Sequence, residues 1–399
     1  MTVAATLGLE EAAGRCWDVV VVGAGPAGAL AARELARRGV AVLCVDRASF
    51  PRWKVCGSCL NLRALATLTA VGLHGLPGRL GAIPLDSLRL AAGGRQACVA
   101  LPGGVSLSRE RLDAALVEAA VTAGAAFLPR TQARLGRATA AARQVYLHQD
   151  GRSTAVSARL VLAADGLAGK LVAGEAAVEA ASASRIGAGV ITEAVPDAYG
   201  TGTIFMGCGA GGYVGMVRLE DGRLDVAAAF DPVRAKRAGG IGKAAVAVLD
   251  AAGLPPVPGL ADLPWRGTPL LTRRLMRPAA ERVLVLGDAA GYVEPFTGEG
   301  IAWALASAAA VAPLAARDCR RWESSVASEW SLLYRQTVAR RQVACRVVAG
   351  VLRRPVLTRT VVAVLARAPG LAVPLVRYLN TARFDVPPAP FWTCAGKSV

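Results

Sequence analysis

The sequence predicts an α/β fold with more than one domain, and three observations carry this prediction. The chain has 399 residues, enough for two or three domains with a sizeable core. An apolar, β-branched run at 18–22 leads through a glycine-rich turn into an alanine-rich helical stretch, and a second apolar run follows at 40–45. Two later apolar runs, at 159–163 and 282–286, are followed by Asp-Gly or Gly-Asp pairs. Short buried strands that alternate with helices are typical of a parallel sheet.

The composition excludes several classes of protein. Hydrophobic residues make up 54% and charged residues 19% of the chain, which is too apolar for a disordered protein. The 44 glycines follow no triplet period, so the chain is not collagen-like. The apolar runs at 301–316 and 361–376 contain proline or arginine and fall short of the roughly 18 residues of a spanning helix. The first 18 residues lack the features of a secretion signal, so we expect a cytoplasmic protein.

The net charge is +17, and the excess is concentrated at the C-terminal end. Residues 317–399 contain 13 arginines and one lysine against four acidic residues. These arginines alternate with valine, leucine and alanine at helical spacing, whereas nucleic-acid-binding segments combine basic residues with exposed aromatic ones. We therefore expect amphipathic helices that pack on the body of the protein or contact an anionic membrane surface, and no nucleic-acid partner. The sequence does not indicate an oligomeric state.

The nine cysteines are mostly isolated, which indicates reduced thiols in a chain without a secretion signal. One pair stands apart, at Cys56 and Cys59. A structural zinc site needs four ligands, but there is no second Cys-x-x-Cys, and the two histidines, His74 and His148, are isolated. We therefore predict no metal site.

The turn at 23–28 carries a glycine pattern that predicts a dinucleotide-binding site. Its residues are Gly23, Ala24, Gly25, Pro26, Ala27 and Gly28. The first glycine allows a tight turn, the second lets a pyrophosphate approach the backbone, and the third lets the helix pack closely on the strand. The N-terminus of the helix then faces the phosphates with its positive dipole end. Asp46 lies 23 residues after Gly23, where its carboxylate can accept hydrogen bonds from ribose hydroxyls.

Three further segments indicate which dinucleotide to expect. They are the Asp-Gly turn at 165–166, the Gly-Asp pair at 287–288, and the stretch 295–300 before a helix that begins at Ile301. Together with the glycine turn they resemble the FAD-dependent oxidoreductases of the para-hydroxybenzoate hydroxylase and geranylgeranyl reductase superfamily. The resemblance covers about residues 17–310. It implies a discontinuous Rossmann-type FAD-binding domain, a β-rich substrate domain and FAD as cofactor.

The glycine turn and the resemblance together predict the cofactor-binding residues. The resemblance implies that Asp288 holds the ribityl chain, that Arg109 meets the phosphates, and that the loop ending at Gly300 lies beside the isoalloxazine ring. At that loop, a helix N-terminus stabilises the negative charge of reduced flavin. The predicted set is Gly23, Gly25, Pro26, Ala27, Gly28, Asp46, Arg47, Lys54, Cys56, Gly57, Arg109, Asp165, Gly166, Gly287, Asp288, Pro295, Gly298, Gly300 and Ile301.

The segment 50–61 resembles particular branches of this superfamily. Its first part, Phe-Pro-Arg-x-Lys-x-Cys-Gly at 50–57, is similar to a stretch of the geranylgeranyl reductases in which the Cys-Gly turn lines the flavin pocket. The part at 52–61 is similar to bacterial relatives found beside type III polyketide synthases, to which oxidation of phenolic lipids is attributed. Cys56 is accordingly a pocket residue, a redox-active thiol or an ordinary core residue.

Several chemistries share this flavin. We favour an NAD(P)H-dependent monooxygenase that hydroxylates a lipophilic phenolic or polyketide-type substrate through a flavin C4a-hydroperoxide, with NAD(P)H as a transient electron donor. The alternative is reduction of a prenyl or polyketide double bond, although segment 213–217 keeps only the tyrosine of the Tyr-x-Trp-x-Phe-Pro signature of the isoprenoid reductases. A halogenase, a dithiol oxidoreductase and a non-enzymatic flavoprotein are further alternatives, and the Trp-x-Trp-x-Ile-Pro motif of halogenases is absent.

Candidate catalytic residues and domain limits complete the predictions. The candidates are Tyr213, which can hydrogen-bond a phenol, Cys56, and Glu299, which lies beside the flavin loop. Asp-Gly pairs at 150–151 and 221–222 predict hairpin turns. The predicted domains are an FAD-binding domain at 17–75, 106–172 and 279–316, a substrate domain at 81–105 and 175–278, and a C-terminal helical region at 317–399.

Overall fold

The computed structural model of the chain describes residues 2–175, 178–181, 184–294 and 296–381. Pro295, predicted to bind the cofactor, and residues 382–399 of the predicted C-terminal region lie outside the described residues. The helices are α1 (Leu9–Ala13), α2 (Pro26–Ala36), α3 (Leu62–Ala70), α4 (Leu76–Arg79), α5 (Arg109–Thr122), α6 (Pro232–Arg237), α7 (Ile241–Ala252), α8 (Gly300–Asp318), α9 (Ser324–Tyr334), α10 (Gln342–Leu352), α11 (Pro355–Arg367) and α12 (Val373–Asn380). The strands are β1 (Cys16–Val22), β2 (Val42–Val45), β3 (Cys59–Leu60), β4 (Ile83–Pro84), β5 (Ser87–Ala92), β6 (Arg95–Ala100), β7 (Val105–Ser106), β8 (Ala126–Leu128), β9 (Gln132–Ala138), β10 (Arg143–Gln149), β11 (Arg152–Ala163), β12 (Val178–Ala180), β13 (Ile186–Thr192), β14 (Thr203–Gly209), β15 (Gly212–Arg218), β16 (Leu224–Phe230), β17 (Arg266–Leu270), β18 (Arg273–Leu275), β19 (Ala279–Ala280), β20 (Val283–Val285) and β21 (Gly291–Tyr292).

The first sheet has eight strands, and its centre is a parallel array in the order β20-β11-β1-β2-β8. Strand β1 is central, and Val19, Val20 and Val21 are fully buried. A strand covered on both faces needs apolar side chains at consecutive positions, which is why the run at 18–22 does not alternate with polar residues. Helix α2 follows β1 directly and packs against α5 and α8. The predicted order of strand, turn, helix and strand is therefore present.

Strand β11 joins this parallel array to an antiparallel extension. Its first half pairs with β10, which in turn pairs with β9, and its second half pairs with β1. Asp150 and Gly151 form the turn between β10 and β11, with φ angles of 48° and 79°. The Asp-Gly pair is suited to this turn because both residues tolerate positive φ. The predicted hairpin is thus present.

The second sheet has seven strands in the order β17-β13-β16-β15-β14-β5-β6. Strands β14, β15 and β16 form a meander, and the predicted Asp-Gly turn at 221–222 lies between the last two. One face of this sheet packs on helix α7 through buried side chains that include Val214, Val226 and Leu249. The other face, with Met206 and Gly215, lines a cavity that reaches the β1–α2 turn. The second sheet therefore supplies one wall of the site.

The chain after the two sheets is helical, as predicted. Helix α8 extends the apolar run at 301–316 to 19 residues, so that, contrary to the expectation from the sequence, it is by itself long and apolar enough to cross a membrane, the one such helix within the described residues. However, 72% of its apolar window is buried inside the protein. Helices α11 and α12 pass the same test only as a pair, and the chain bends by 120° between them. Trp330 of α9 is fully buried and donates a hydrogen bond to the Val285 carbonyl of β20 (3.0 Å). Helix α9 is thereby attached to the first sheet.

The two sheets draw their strands from separate stretches of the chain. Apart from the first residue of β1, the strands of the first sheet lie within 17–75, 106–172 and 279–316. The strands of the second sheet lie within 81–105 and 175–278. The domain limits themselves stay a prediction.

Candidate functional site

The turn between β1 and α2 is shaped to accept a phosphate group. Gly23 has a φ of 99°, and a side chain there would overlap the Ala164 carbonyl. A side chain at Gly28 would overlap the Gly23 carbonyl. Only glycine therefore permits this close path of strand and helix. Beyond the turn, the N-terminus of α2 offers free backbone N–H groups and the positive end of the helix dipole.

Two arginines face Gly25, which caps the N-terminus of α2. A Cβ atom at Gly25 would lie 3.6 Å from the Arg52 guanidinium and 3.9 Å from that of Arg109. Arg109 donates two hydrogen bonds to Asp113 (2.8 and 2.7 Å), and Arg52 lies 3.3 Å from the same carboxylate. Burial alone would lower the pKa of Arg109, but the Asp113 carboxylate raises it by more, so the pKa lies above its ordinary value. Two guanidiniums around an open glycine fit the pyrophosphate of a dinucleotide.

Asp46, just after the end of β2, is tied to the same turn. One of its carboxylate oxygens accepts a hydrogen bond from the Ala24 N–H (2.7 Å), and the other accepts one from the Ala48 N–H (2.8 Å). Each oxygen keeps a further lone pair, so the carboxylate can also accept hydrogen bonds from ribose hydroxyls. The position fits the role that its spacing from Gly23 predicts.

Asp288 and Lys54 are a carboxyl and an amine that lie further along the site. Asp288 stands in a 3₁₀ turn (Gly287–Ala289) after β20. Burial raises the pKa of Asp288, and the charges of Lys54 and Arg109 oppose this rise. Burial lowers the pKa of Lys54, and the charge of Arg109 adds to that effect. The Asp288 carboxyl can accept hydrogen bonds from the hydroxyls of a ribityl chain.

A cavity of about 740 Å³ joins these groups to the second sheet. It begins at the β1–α2 turn, passes Asp288 and the Cys56–Gly57 turn, and continues between the second sheet and the helices α10 to α12. Cavities of roughly 300–1,000 Å³ are typical of cofactor and small-molecule sites. Beyond the turn the wall is mainly apolar, and it includes Leu88, Leu90, Met206, Val217, Leu271, Val348, Leu352, Val361, Leu365 and Leu379.

Most of the predicted site residues line this cavity. These are Gly25, Pro26, Ala27, Arg47, Lys54, Cys56, Gly57, Arg109, Asp165, Gly166, Tyr213, Gly287, Asp288, Gly298, Gly300 and Ile301. Gly23 and Gly28 do not line it, because they shape the turn itself, and Asp46 supports that turn through Ala24. Arg52, which faces Gly25, is outside the predicted set. The individual roles stay predictions.

Cys56 lies on the wall of the cavity, near the Arg109 guanidinium. Burial raises the pKa of the Cys56 thiol, and Arg109 opposes this rise. Burial also raises the pKa of Cys59, whose thiol donates to the Gly57 carbonyl (3.0 Å). Both cysteines are free. Neutral thiols are poor nucleophiles, and whether Cys56 is a pocket residue, a redox-active thiol or an ordinary core residue stays a prediction.

Tyr213 of β15 lines the cavity and is 4% exposed. Its ring packs edge-to-face against Phe296, with centroids 5.0 Å apart, and the Arg185 guanidinium lies 5.5 Å from its centre. Its hydroxyl is buried and has no hydrogen-bond partner among the residues that the structure describes. Burial, together with the Glu294 carboxylate, raises the pKa of Tyr213 well above its ordinary value. The hydroxyl is therefore a protonated donor without an acceptor.

Glu299 precedes α8 but does not line the cavity. Its carboxylate accepts hydrogen bonds from the Trp303 indole N–H (2.9 Å) and the Asn61 amide (3.4 Å), and Arg63 lies 3.5 Å away. Burial raises the pKa of Glu299, and the charge of Arg63 opposes this rise. These contacts hold the start of α8 in place. A catalytic role for Glu299 stays a prediction without a contact that supports it.

A buried carboxyl outside the predicted set lies beside the Cys-x-x-Cys turn. Asp225 of β16 is 2% exposed, lies near the Ser58 side chain, and has one oxygen with no partner among the described residues. Burial raises the pKa of Asp225 to about 7, although Ser58 and Arg223 oppose this rise. The available signal is an aspartate in an otherwise apolar strand. Its neighbours come from a distant part of the chain, so the sequence does not reveal the cluster.

Comparison with known proteins agrees with this geometry. Residues 16–198 match a family model described as an FAD binding domain. A menaquinone reductase of Mycobacterium tuberculosis is 39% identical over 158 residues, which span 37% of this chain and 37% of that protein. A menaquinone reductase of Mycolicibacterium smegmatis is 57% identical over 56 residues, or 14% of each chain. The chain thus matches well under half the length of these curated relatives.

Two solved structures illustrate the likeness of the whole fold. The flavin-dependent brominase Bmp2 superposes with a TM-score of 0.74 and 15% identity over 92% of this chain and 94% of that one. PqsL, a probable FAD-dependent monooxygenase from Pseudomonas aeruginosa, superposes with a TM-score of 0.67 and 20% identity over 87% and 99%. At these identities the likeness shows the fold alone. Residues 16–198 of the chain thus match an FAD-binding domain, and the chain as a whole shares its fold with flavin-dependent enzymes such as Bmp2 and PqsL.

Proposed function

We propose that this chain is an FAD-dependent monooxygenase that uses NAD(P)H to hydroxylate a lipophilic phenolic or polyketide-type substrate. The observation that carries the proposal is the cavity that leads from the FAD-binding turn to an apolar wall, which Tyr213 helps to line. When bound, FAD supplies the redox chemistry that protein side chains cannot provide. NAD(P)H is the transient electron donor in this proposal.

The apolar wall selects the substrate by its hydrocarbon part. Side chains such as Val348, Leu352 and Leu365 offer no hydrogen bonds and exclude water from the cavity. Burial of each methylene group contributes about 0.8 kcal/mol, so an alkyl chain of several carbons supplies most of the binding free energy. A short phenol without such a chain should therefore bind weakly.

Tyr213 recognises the oxygen of the ring. Its hydroxyl stays protonated and is enclosed in the structure, so a small shift of the side chain toward a bound substrate would let it donate to the phenol oxygen, which favours the phenolate form. A phenolate ring is richer in electrons and reacts more readily with an electrophilic oxygen atom. The contacts of the Tyr213 ring with Phe296 and Arg185 keep the side chain beside the cavity. Tyr213 thus positions and activates the substrate.

Reduction of a double bond is the second candidate function. The observation that favours it is the 39% identity over 158 residues to proteins named menaquinone reductase. An isoprenoid chain would fill the same apolar cavity, because burial of its apolar surface is favourable in the same way as burial of an alkyl chain. The two candidates therefore differ in the reaction and share the site.

Product analysis with the purified FAD-loaded protein separates the two functions. We expect a long-chain alkylresorcinol to gain one oxygen atom in the presence of NADPH and molecular oxygen, and to stay unchanged without oxygen. A prenylated quinone whose prenyl chain gains two hydrogen atoms from NADPH without oxygen, a gain that persists after the quinone ring has been reoxidised in air, would instead establish the reductase. Mass spectrometry of the extracted product measures both outcomes.

Tyr213→Phe tests the role of the hydroxyl in the favoured reaction. Because one hydrogen bond to a developing charge is lost, we expect kcat/KM for the phenol to fall by about 10–100-fold with unchanged FAD content. Tyr199→Phe is the matched control, since Tyr199 is also buried but bonds the Pro255 carbonyl outside the cavity. Equal kinetics for wild type and Tyr213→Phe would contradict the assigned role.

A further inference from the structure

The C-terminal helices carry most of the exposed apolar surface that the structure describes. Of the fourteen large apolar side chains that are exposed, nine lie between the start of α10 and the end of α12. These nine residues, here called the apolar face, are Val343, Val347, Val356, Leu357, Val364, Leu371, Val373, Leu375 and Tyr378. An exposed apolar surface of this density marks an interaction site.

The charge of the same segment points to an anionic partner. Residues 335–381 contain nine arginines and no lysine, aspartate or glutamate. Five of the arginines on or beside α10 to α12 are exposed: Arg346, Arg354, Arg359, Arg367 and Arg377. Helices that combine exposed apolar side chains with arginines lie in the interface of anionic bilayers. The bend of 120° between α11 and α12 suits a pair that lies along the surface and does not cross it.

The cavity opens at the apolar face. Val347 is 64% exposed and Leu375 is 42% exposed, and both also line the cavity. The opening therefore lies between α10 and α12, and apolar side chains surround it. In water, such an opening would expose the apolar wall of the cavity to solvent, which is unfavourable. If the opening is buried in a bilayer, lipid covers this wall instead.

We propose that the apolar face docks on an anionic phospholipid bilayer, so that the lipophilic substrate enters the cavity directly from the membrane. A second copy of the chain fits this face less well, because two-fold pairing would bring the same arginines against each other. The inference rests on the proposed function only for the lipid character of the substrate, since docking itself needs no substrate.

Vesicle flotation of the full-length, FAD-loaded protein tests the proposal. We expect the protein to float with vesicles of phosphatidylcholine and phosphatidylglycerol, and to bind much less to vesicles of phosphatidylcholine alone. A triple variant combines Val356→Ser, Leu371→Ser and Val373→Ser, and its partition coefficient should fall by about tenfold or more. None of these three residues lines the cavity.

Two further kinds of variant separate the apolar from the charged contribution. The matched control for the triple variant is Val233→Ser, because Val233 is 58% exposed and lies on α6, which contributes no residue to the apolar face. We expect this control to float like the wild type. Arg354→Gln and Arg367→Gln should each weaken binding to the anionic vesicles by about fivefold, because one charge near the membrane surface is lost.

Two results would overturn the proposal. One is a wild-type protein that stays unbound in the presence of the anionic vesicles, and the other is a triple variant that floats as well as the wild type. FAD content and thermal unfolding, measured in parallel, show whether each variant is folded. If the wild type is instead a dimer that the triple variant dissociates, and neither binds vesicles, the face is an interface between copies. Product analysis is independent of flotation, so a failure of the proposed reaction is distinguishable from a failure of docking.

Discussion

At the scale of single residues, Asp225 is a buried carboxyl whose pKa lies near neutral pH, where its ionisation can be measured. Its pKa of about 7 in the folded chain lies well above the ordinary value of about 3.9 for an unfolded aspartate. Between about pH 4 and pH 7, the folded chain therefore keeps the Asp225 proton, whereas the unfolded chain has already released it. The protonated Asp225 carboxyl therefore contributes its full stability below about pH 4, and this contribution is lost as the pH rises through the pKa of Asp225 in the folded chain.

Asp225→Asn should remove this pH dependence, because an amide does not titrate. Between about pH 5 and pH 8, we expect the free energy of unfolding of the variant to rise relative to the wild type by about 3 kcal/mol. Urea unfolding at the two pH values measures the difference. Asp197→Asn is the control, since Asp197 is exposed. Parallel behaviour of wild type and Asp225→Asn would contradict the assignment.

The residues that the sequence could predict are those whose role is local. Gly23 and Gly28 are required by the path of a single turn, and their pattern shows this without knowledge of the rest of the chain. Asp225 gains its properties from Ser58 and from burial against a different part of the chain. Such a property depends on tertiary contacts, and a lone aspartate in a strand does not reveal them.

At the scale of elements, the attachment of α9 to the first sheet depends on one indole. Trp330 is fully buried, and its N–H donates to the Val285 carbonyl, three residues before Asp288. Trp322 also has a buried indole N–H, but that group has no hydrogen-bond partner among the described residues. The two tryptophans therefore form a matched pair for measuring the attachment.

Trp330→Phe should destabilise the protein more than Trp322→Phe. The first change leaves the Val285 carbonyl without its donor and opens a small void, and we expect a loss of about 2–3 kcal/mol beyond that of the second change. Urea unfolding of both variants measures the difference. Equal losses would show that the hydrogen bond to β20 contributes nothing to the attachment of α9.

Elements with a clear local period could be predicted, and their assembly could not. The strands at β1, β11 and β20 follow from apolar runs, and the two Asp-Gly hairpins follow from turn chemistry. The helices after α8 follow from the helical spacing of their apolar residues. That α10 to α12 form a wall of the cavity depends on contacts with distant strands, which no local pattern encodes.

At the scale of the whole molecule, one buried ion cluster joins three regions of the chain. Arg185, just before β13, pairs with Glu294, and it donates a hydrogen bond to the Leu352 carbonyl at the end of α10 (2.9 Å). Arg353 also pairs with Glu294 (3.0 Å). Arg185 is 5% exposed and Glu294 is 1% exposed. The cluster thus links the second sheet, the segment after β21 and the C-terminal helices.

Glu294→Gln should be severely destabilising, because it leaves Arg185 buried without a counter-charge. We expect a loss of about 3–5 kcal/mol in the free energy of unfolding. Asp150→Asn is the control, since Asp150 pairs with Arg130 on the surface (3.3 Å, both side chains 63% exposed) and should cost less than about 1 kcal/mol. Chemical unfolding compares the two. Losses of similar size would show that the cluster does not hold the three regions together.

The strand order of the first sheet sets a condition on when the protein can assemble during synthesis. Strand β11 lies between β1, near the start of the chain, and β20, which is made only after the whole second sheet. Asp288 follows β20, so a growing chain lacks both the strand that completes the parallel array and a predicted cofactor-binding residue until this late segment has been synthesised. Until β20 has been synthesised, the edge of β11 that pairs with it therefore stays exposed, and an exposed apolar strand edge favours aggregation. Production of this protein should accordingly benefit from slow synthesis and from chaperones that cover exposed strand edges.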